Sequence, residues 1–202
     1  MKRLRTRAPL TFVLAIAVSS APAAQERVDS PEAGIALTVP VGWHKATLEQ
    51  VQANRERVRL PDAELQSALT TRSALPLFTF TKHEEPYPGL NPSVQVTLRP
   101  GLPGTPTELL TMALEPLRRG LTDFRIVSAV QGTQVGGWPA AHARTSYTLK
   151  NSRGQAFPVL SRMWLVPRGR LMFLIGMSGD QAGENVCEQE FAEVLESIRI
   201  QK

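Results

Sequence analysis

The second half of the chain alternates between strand-like runs and turn-forming clusters, and this pattern narrows the possible folds more than any other feature. Four runs are rich in aliphatic, β-branched and aromatic residues: Phe124–Val130, Trp138–Leu149, Ala156–Val166 and Leu171–Ser178. Asn151–Gly154 and Pro167–Arg170 have the composition of tight turns, which predicts antiparallel hairpins. Because Leu171–Ser178 is apolar on both faces, we expect it at the centre of the sheet.

The first half adds strands with a two-residue period. Leu75–Lys82 and Ser93–Arg99 alternate cleanly, which indicates a sheet with one buried face. Gly34–Val39 is a further β run that ends at Pro40. The segment Glu84–Pro92 is rich in residues that break regular structure, so it is expected to be a loop.

Helical signals lie between and after these strands. Residues 46–58 predict an amphipathic surface helix, and residues 62–72 a second short one. Thr105, followed by Pro106 and then by Glu108, is typical of a helix start with a capping box.

Two details of the later helices can be predicted as well. Pro116 lies inside the apolar stripe of the helix that starts near Thr105, and we expect it to kink or end that helix. A last helix over about 183–196 presents an apolar stripe that includes Cys187 and Phe191, with Gly179 and Asp180 as its preceding turn and cap. Helices interspersed with hairpins predict an α+β domain, built on a central antiparallel β-sheet flanked by helices.

The N-terminus has the three-part layout of a secretory signal peptide. Basic residues in the first seven positions precede the apolar run Ala8–Val18 and then a stretch of small residues. The apolar run is too short to span a bilayer as a mature helix. Ala21-Pro22-Ala23 matches the small-residue box of a cleavage site, so cleavage after Ala23 or after Ala24 is expected. The resulting organisation is a signal peptide over 1–24, a flexible segment over 25–33, and a single domain over 34–202. Export predicts a periplasmic or secreted protein, and no integral membrane segment is expected after cleavage.

Charge and cysteine content exclude several classes. The formal net charge of +5 falls to +1 once the four positive charges of residues 1–24 are removed, so nucleic-acid binding is not expected. The single cysteine cannot form an internal disulfide or a cysteine-based zinc site.

No catalytic or metal-binding pattern emerges from the candidate residues. The three histidines, His44, His83 and His142, are far apart in sequence, and His83-Glu84-Glu85 is interpreted as a solvated loop. Ser178 lacks the spacing of a nucleophile elbow, and Cys187 is interpreted as a small core residue. No phosphate-binding glycine motif is present. The sequence therefore assigns no catalytic, cofactor-binding or metal-binding residue, and no cofactor is expected.

Two surface features could instead contact a partner. Arg55, Arg57 and Arg59 could bind an anionic partner, although a solvated helix face is the simpler interpretation. Trp43 follows a turn and could be either core or a binding anchor.

Several packing and turn residues resemble those of the PsbP-like domain family. Gly34–Trp43 resembles that family's opening strand and its Pro-x-Gly-Trp turn, and Gly137–Ala141 resembles the start of a middle strand. Arg162–Ile200 is similar to the closing strands and final helix. The resemblance implies an α/β/α sandwich and covers about residues 30–200. The family includes photosystem accessory proteins, a nuclear-import factor that binds a small GTPase, and bacterial envelope proteins, and no catalytic motif accompanies the fold.

The sequence therefore predicts an exported, non-enzymatic accessory or binding domain of the bacterial envelope with a protein partner. Two alternatives remain. One is a small-molecule or lipid-binding protein with a pocket under the loop Glu84–Pro92. The other is a hydrolase whose catalytic residues are scattered, for which His142 or His44 would have to meet a carboxylate and a hydroxyl.

Overall fold

The computed structural model describes residues 25–70, 75–181 and 187–201. Its strands are β1 (Arg27–Ser30), β2 (Ile35–Thr38), β3 (His44–Lys45), β4 (Val58–Arg59), β5 (Phe78–Thr81), β6 (Ser93–Pro100), β7 (Thr122–Val135), β8 (Trp138–Asn151), β9 (Ala156–Arg168), β10 (Leu171–Asp180) and β11 (Arg199–Ile200). Its helices are α1 (Leu48–Arg57), α2 (Ala63–Thr70), α3 (Pro106–Gly120) and α4 (Glu188–Ser197). The signal-peptide prediction for 1–24 lies outside the described residues.

The main sheet is antiparallel and has eight strands. Its order is β3-β5-β6-β10-β9-β8-β4, and β7 also pairs with β8. Strand β10 has β6 on one side and β9 on the other, as its doubly apolar sequence predicts. A smaller sheet, ordered β1-β2-β11, brings the two ends of the described chain together. The predicted α+β class, with a central antiparallel sheet flanked by helices, is confirmed.

The alternation of side chains gives the main sheet two differently covered faces. One face, here called the α4 face, contributes residues such as Phe173 and Ile175 to a core shared with α4 and the small sheet. The opposite face, here called the α3 face, packs Ala143 and Leu165 against Leu110 of α3. The strand pattern thus determines which side chains can meet, because neighbours along a strand point to opposite faces.

Helix α3 begins where its sequence predicts, but it extends beyond Pro116. The Thr105 hydroxyl accepts from the backbone N–H of Glu108, and the Glu108 carboxylate accepts from that of Thr105. The helix does not end at Pro116, since it continues to Gly120. The carbonyl that Pro116 leaves without a donor belongs to Met112, which is exposed, so water can satisfy it.

Two further segments differ from expectation. Gly179 and Asp180 do not form the turn and cap of the last helix, because they continue β10 and pair with Leu160 and Val159 of β9. The segment 25–33, expected to be flexible, contains β1, which pairs with β2 along its whole length. Val28 of β1 is buried, which explains why this strand is held against the domain.

Candidate functional site at the start of helix α4

Strands β8 and β9 bring two arginines side by side on the α4 face. Arg144 of β8 lies opposite Arg162 of β9, and the next pair on the same face is His142 with Trp164. The rings of His142 and Trp164 stack with their centroids 4.6 Å apart. We call these four residues and Glu188, which lies above them in the first turn of α4, the arginine cluster.

One carboxylate serves both arginines. The Oε1 atom of Glu188 accepts from Nη2 of Arg144 at 3.4 Å and also from Nη2 of Arg162. The Arg162 guanidinium lies 5.3 Å from the ring centroid of Phe191. Its side chain is 7% exposed, whereas those of Arg144 and Glu188 are 37% and 54% exposed. The cluster therefore has a buried inner side and a side open to solvent.

Three nitrogens of the cluster are buried without a hydrogen-bond partner. They are Nη1 of Arg162, Nε of Arg144 and Nε2 of His142. An unsatisfied buried donor costs about 1–3 kcal/mol, and more when it is charged. Native proteins satisfy most such groups, so the two guanidinium donors together indicate a place where a further acceptor fits. Nε2 of the neutral imidazole adds a third donor in the tautomer that carries its proton on Nε2.

The electrostatics of the cluster are dominated by positive charge. Burial lowers the pKa of His142, and the nearby charges of Arg144 and Arg162 lower it further. Burial also lowers the pKa of Arg162, with a second contribution from Arg144. The imidazole is therefore neutral at pH 7, while arginine remains charged in proteins.

A second polar group lies beside the cluster. The Nζ atom of Lys82 is 2.9 Å from Oε1 of Glu190 and 3.4 Å from Sγ of Cys187. The hydrogen bond to Glu190 raises the pKa of Lys82. Burial alone would raise the pKa of Glu190, yet the hydrogen bond from Lys82 holds it below its usual value. The charges of Lys82 and Glu190 cancel each other, so Glu190 does not offset the positive charge of the two arginines.

Ser178 and His142, two of the residues considered for hydrolase chemistry, do not meet. Ser178 lies within β10 and donates to Oγ of Ser161 at 3.1 Å, on the α3 face. Tyr147 shares this face, and burial raises the pKa of its phenol against hydrogen bonds with Ser178 and Ser161. His142 points to the α4 face, so the sheet separates it from Ser178.

The loop after β5 is organised by its own side chains. The ring of His83 stacks on Tyr87 with centroids 4.4 Å apart. The carboxylate of Glu85 accepts from Nδ2 of Asn91 at 2.8 Å and from the backbone N–H of Tyr87 at 2.9 Å. Within the described residues, no group of three or more potential metal ligands occurs.

The remaining candidates take structural or surface positions. Trp43 is buried and contacts Phe191 edge to face, with centroids 5.9 Å apart, so it belongs to the core and is not an exposed anchor. Arg55 donates to the carbonyl of Leu69, and Arg57 and Arg59 lie at the exposed end of α1 and in β4. His44 is exposed in β3.

Strand β7 forms a long, almost uncharged edge of the main sheet. Over Thr122–Val135 its only charged residues are Asp123 and Arg125, and among the described strands it pairs with β8 alone. The opposite edge is the two-residue strand β3, which is charged and short. Irregularities interrupt the first part of β7, but Gln131–Val135 keeps a continuous register.

Two open grooves lie near this strand's end and beyond it. One, of about 440 Å³, lies between the β7–β8 turn at Gly136 and the end of α4 at Leu195. The other, of about 250 Å³, is lined by β1, β2 and residues after α4. Neither lies under the loop Glu84–Pro92, where a small-molecule pocket was the alternative expectation.

The arginine cluster could not be found from sequence spacing. Arg162 is the one charged residue within the mostly apolar run Ala156–Val166, and this is the one signal that could have indicated the cluster. Its partners Arg144 and Glu188 are remote in sequence, and only the register of β8 on β9 brings them together.

Comparison with known proteins identifies the fold. No protein-family model matches the chain, and no curated protein matches its sequence. The solution structure of a cyanobacterial PsbP from Synechocystis sp. PCC 6803 matches with a TM-score of 0.53 at 11% identity, over 93% of this chain and 99% of that one. The Ran-binding protein Mog1p of Saccharomyces cerevisiae matches with a TM-score of 0.51 at 15% identity, over 88% and 95%.

Two further solved structures are also similar to this chain. LpqN of Mycobacterium tuberculosis, which is involved in cell envelope biogenesis, matches with a TM-score of 0.50 at 16% identity, over 88% of this chain and 86% of that one. A structure from Bacteroides thetaiotaomicron matches at 13% identity with a TM-score of 0.49, and this chain spans only 49% of its length. Within the described residues, no helix is both long and apolar enough to cross a membrane.

Proposed function

We propose that this chain, which has the fold of PsbP and Mog1p, is an exported, non-enzymatic accessory domain of the bacterial envelope that binds a partner protein. In this proposal the partner adds an extended segment to the outer edge of β7. The site requires no cofactor.

The open edge of β7 is the observation that carries the proposal. An edge strand presents unpaired backbone N–H and C=O groups, and proteins usually protect such edges with charges, proline or short length. The ten residues Ile126–Val135 contain no charge and no proline. Ile126 and Val127 are among the exposed large hydrophobic residues, at 46% and 52%. Addition of a partner strand would satisfy this backbone and cover these side chains.

Two further observations support the export and binding parts of the proposal. The N-terminal segment 1–24 has the basic, apolar and small-residue layout of a secretory signal. Among proteins of this fold, Mog1p is a Ran-binding protein and LpqN is involved in cell envelope biogenesis. The description of Mog1p fits a domain that binds another protein, and that of LpqN fits a place in the cell envelope.

Site-specific photo-crosslinking in the host cell tests this proposal. A photoreactive amino acid replaces Thr133 in the regular part of β7, and an equivalent probe replaces Met112 on α3, which is 61% exposed. We expect a discrete adduct with one envelope protein from position 133 and none from position 112. Irradiated fractions are separated by gel electrophoresis and the adduct is identified by mass spectrometry.

A matched pair of charge variants provides the control. Thr133→Lys with Gln134→Lys places two positive charges on the β7 edge, and Thr111→Lys with Met112→Lys places two on α3. We expect the first pair to abolish an adduct formed from a probe at Gln131, and the second pair to leave it unchanged. Equal adduct formation from β7 and α3 probes, or no adduct from β7, would contradict the proposal.

A further inference from the structure

The arginine cluster has one positive charge more than its own carboxylates balance. Arg144 and Arg162 lie directly opposite each other, and like charges in this position repel. In the described part of the chain, Glu188 is the one acidic residue that forms an ion pair with either of them. Glu190 is committed to Lys82. A second negative group would therefore be favourable here.

The unused hydrogen-bond donors of the cluster provide the contacts for such a group. Nη1 of Arg162, Nε of Arg144 and Nε2 of His142 are buried and have no partner. Arg162 itself is 6% exposed, and its guanidinium is held by Glu188 and by the ring of Phe191. A fixed guanidinium can form paired hydrogen bonds with an oxyanion without a large loss of side-chain entropy.

Two members of the cluster face solvent, and the inner donors lie behind them. The side chains of Arg144 and Glu188 are 37% and 54% exposed, so rotation of these two groups opens the inner part of the cluster. His142 lies two residues before Arg144 in β8, and its ring stacks on Trp164, which holds it in place. The donors therefore belong to two adjacent strands and lie on the same face of the sheet.

We propose that the arginine cluster is a receptor for an oxyanion with at least two oxygens, of the phosphate or carboxylate class, bound by Arg144 and Arg162 with His142 as a third donor. The anion supplies the negative charge that the arginine pair lacks. Its source is either a free anion or an acidic side chain of a protein. The site does not depend on strand addition at β7, and it can be occupied in the isolated protein.

Titration of the purified full-length protein with inorganic phosphate and, separately, with acetate tests the proposal at low ionic strength in the absence of other oxyanions. Binding is measured by calorimetry, and the imidazole of His142 is followed by NMR over a pH series. We expect saturable binding and a rise in the pKa of His142 on binding, because a nearby negative charge favours imidazolium. Absence of a ligand-dependent change at His142 with both anions would overturn the proposal.

Variants separate the site from general charge attraction. Arg144→Gln should weaken binding at least about tenfold, since it removes one charged donor pair. Arg144→Lys retains the charge but lacks the fork of donors, and should give an intermediate affinity. Arg153→Gln, in the exposed β8–β9 turn, removes the same charge outside the cluster and should leave affinity unchanged. Equal loss in Arg144→Gln and Arg153→Gln would overturn the proposal.

The two possible sources of the anion give different results with the β7 crosslinking assay. If a partner's acidic side chain occupies the site, Arg144→Gln should reduce the yield of the β7 adduct. If a free anion occupies it, the same substitution should leave that yield unchanged. Either result supports the anion site only if the titration also shows binding of phosphate or acetate. A positive titration without any β7 adduct supports the anion site and contradicts strand addition, so the two proposals fail independently.

Discussion

At the scale of single residues, Gly101 lies where the end of β6 meets the β9–β10 turn. Its N–H donates to the carbonyl of Arg170 at 2.7 Å. A Cβ at this position would lie 2.8 Å from the carbonyl oxygen of Gly169 and 2.9 Å from the carbonyl carbon of Arg170, both of them backbone atoms. The absence of a side chain is therefore what allows the two segments to approach.

Replacement of Gly101 by Ala should destabilise the protein by about 1–3 kcal/mol, because the backbone must move to relieve the overlap. Urea unfolding monitored by circular dichroism measures the change. Gly132→Ala in β7 is the matched control, since no atom lies within 4 Å of its added Cβ. We expect the control to differ from the native protein by no more than about 0.5 kcal/mol. Equal effects of both substitutions would contradict the steric explanation.

Cys187 should behave as an unreactive thiol in the folded protein. The residue is 5% exposed. Burial raises the pKa of its thiol, and the charge of Glu190 adds to this effect, against Lys82 and Arg162. Thiolate is the reactive form, so a disulfide reagent at pH 7 should modify Cys187 far more slowly in buffer than in urea.

A second cysteine on the surface calibrates this measurement. In Ser152→Cys, the new thiol lies in the exposed β8–β9 turn and should react at the rate of a free thiol. The absorbance of the released reagent should then show one thiol that reacts fast and one that reacts slowly. Two fast equivalents in the folded protein would show that Cys187 is accessible and would refute its assignment to the core.

At the scale of elements, the capping box of α3 couples helix stability to pH. The hydrogen bond from the backbone N–H of Thr105, and then that from its hydroxyl, lower the pKa of Glu108. A carboxyl group with a lowered folded-state pKa stabilises the fold above its unfolded pKa of about 4.3, and this stabilisation is lost as pH falls through the folded value. This loss of stability therefore occurs at acidic pH.

Glu108→Gln should preserve the cap at pH 7, because glutamine can also accept from the Thr105 N–H. Between about pH 5 and about pH 3 the variant should lose less stability than the native protein, since it has no carboxyl group to protonate there. Urea midpoints at several pH values measure this difference. Glu115→Gln removes a carboxylate of the same helix outside the cap. If the urea midpoint of Glu115→Gln depended on pH as weakly as that of Glu108→Gln, the capping box would not be the cause of the pH dependence.

At the scale of the whole molecule, sequence patterning predicts the features that have local causes. The alternation in Ser93–Arg99 and the cap at Thr105 depend on neighbouring residues, and strand β6 and the start of α3 are both confirmed. The expected burial of one face alone is wrong for β6, because Thr97 is buried on the face opposite Val94 and Val96. Gly179 and Asp180 have a turn-like composition, yet pairing with β9 keeps them in β10. The arginine cluster likewise depends on a strand register that no single segment specifies.

The small sheet gives the last example of such a non-local cause, because it joins β1 to both β2 and the C-terminal strand β11. Val28 of β1 lies opposite Leu37, Ile200 of β11 lies opposite Ile35, and the N–H of Gln201 donates to the carbonyl of Gly34 at 2.9 Å. Residues 25–33 are polar enough to suggest a flexible segment, but β1 covers the outer edge of β2. Removal of β1 would expose this edge and part of the core shared with α4.

A chain that starts at Gly34 should therefore be less stable than one that starts at Gln25. Loss of the burial of Val28 alone corresponds to about 2 kcal/mol, and four residues of strand pairing are lost as well. Urea unfolding of the two chains, with Val28→Ala in the longer one as an intermediate case, measures the contribution. If 25–33 were flexible, all three unfolding midpoints would coincide. Graded midpoints would instead mean that the segment immediately after the predicted cleavage site is part of the folded domain.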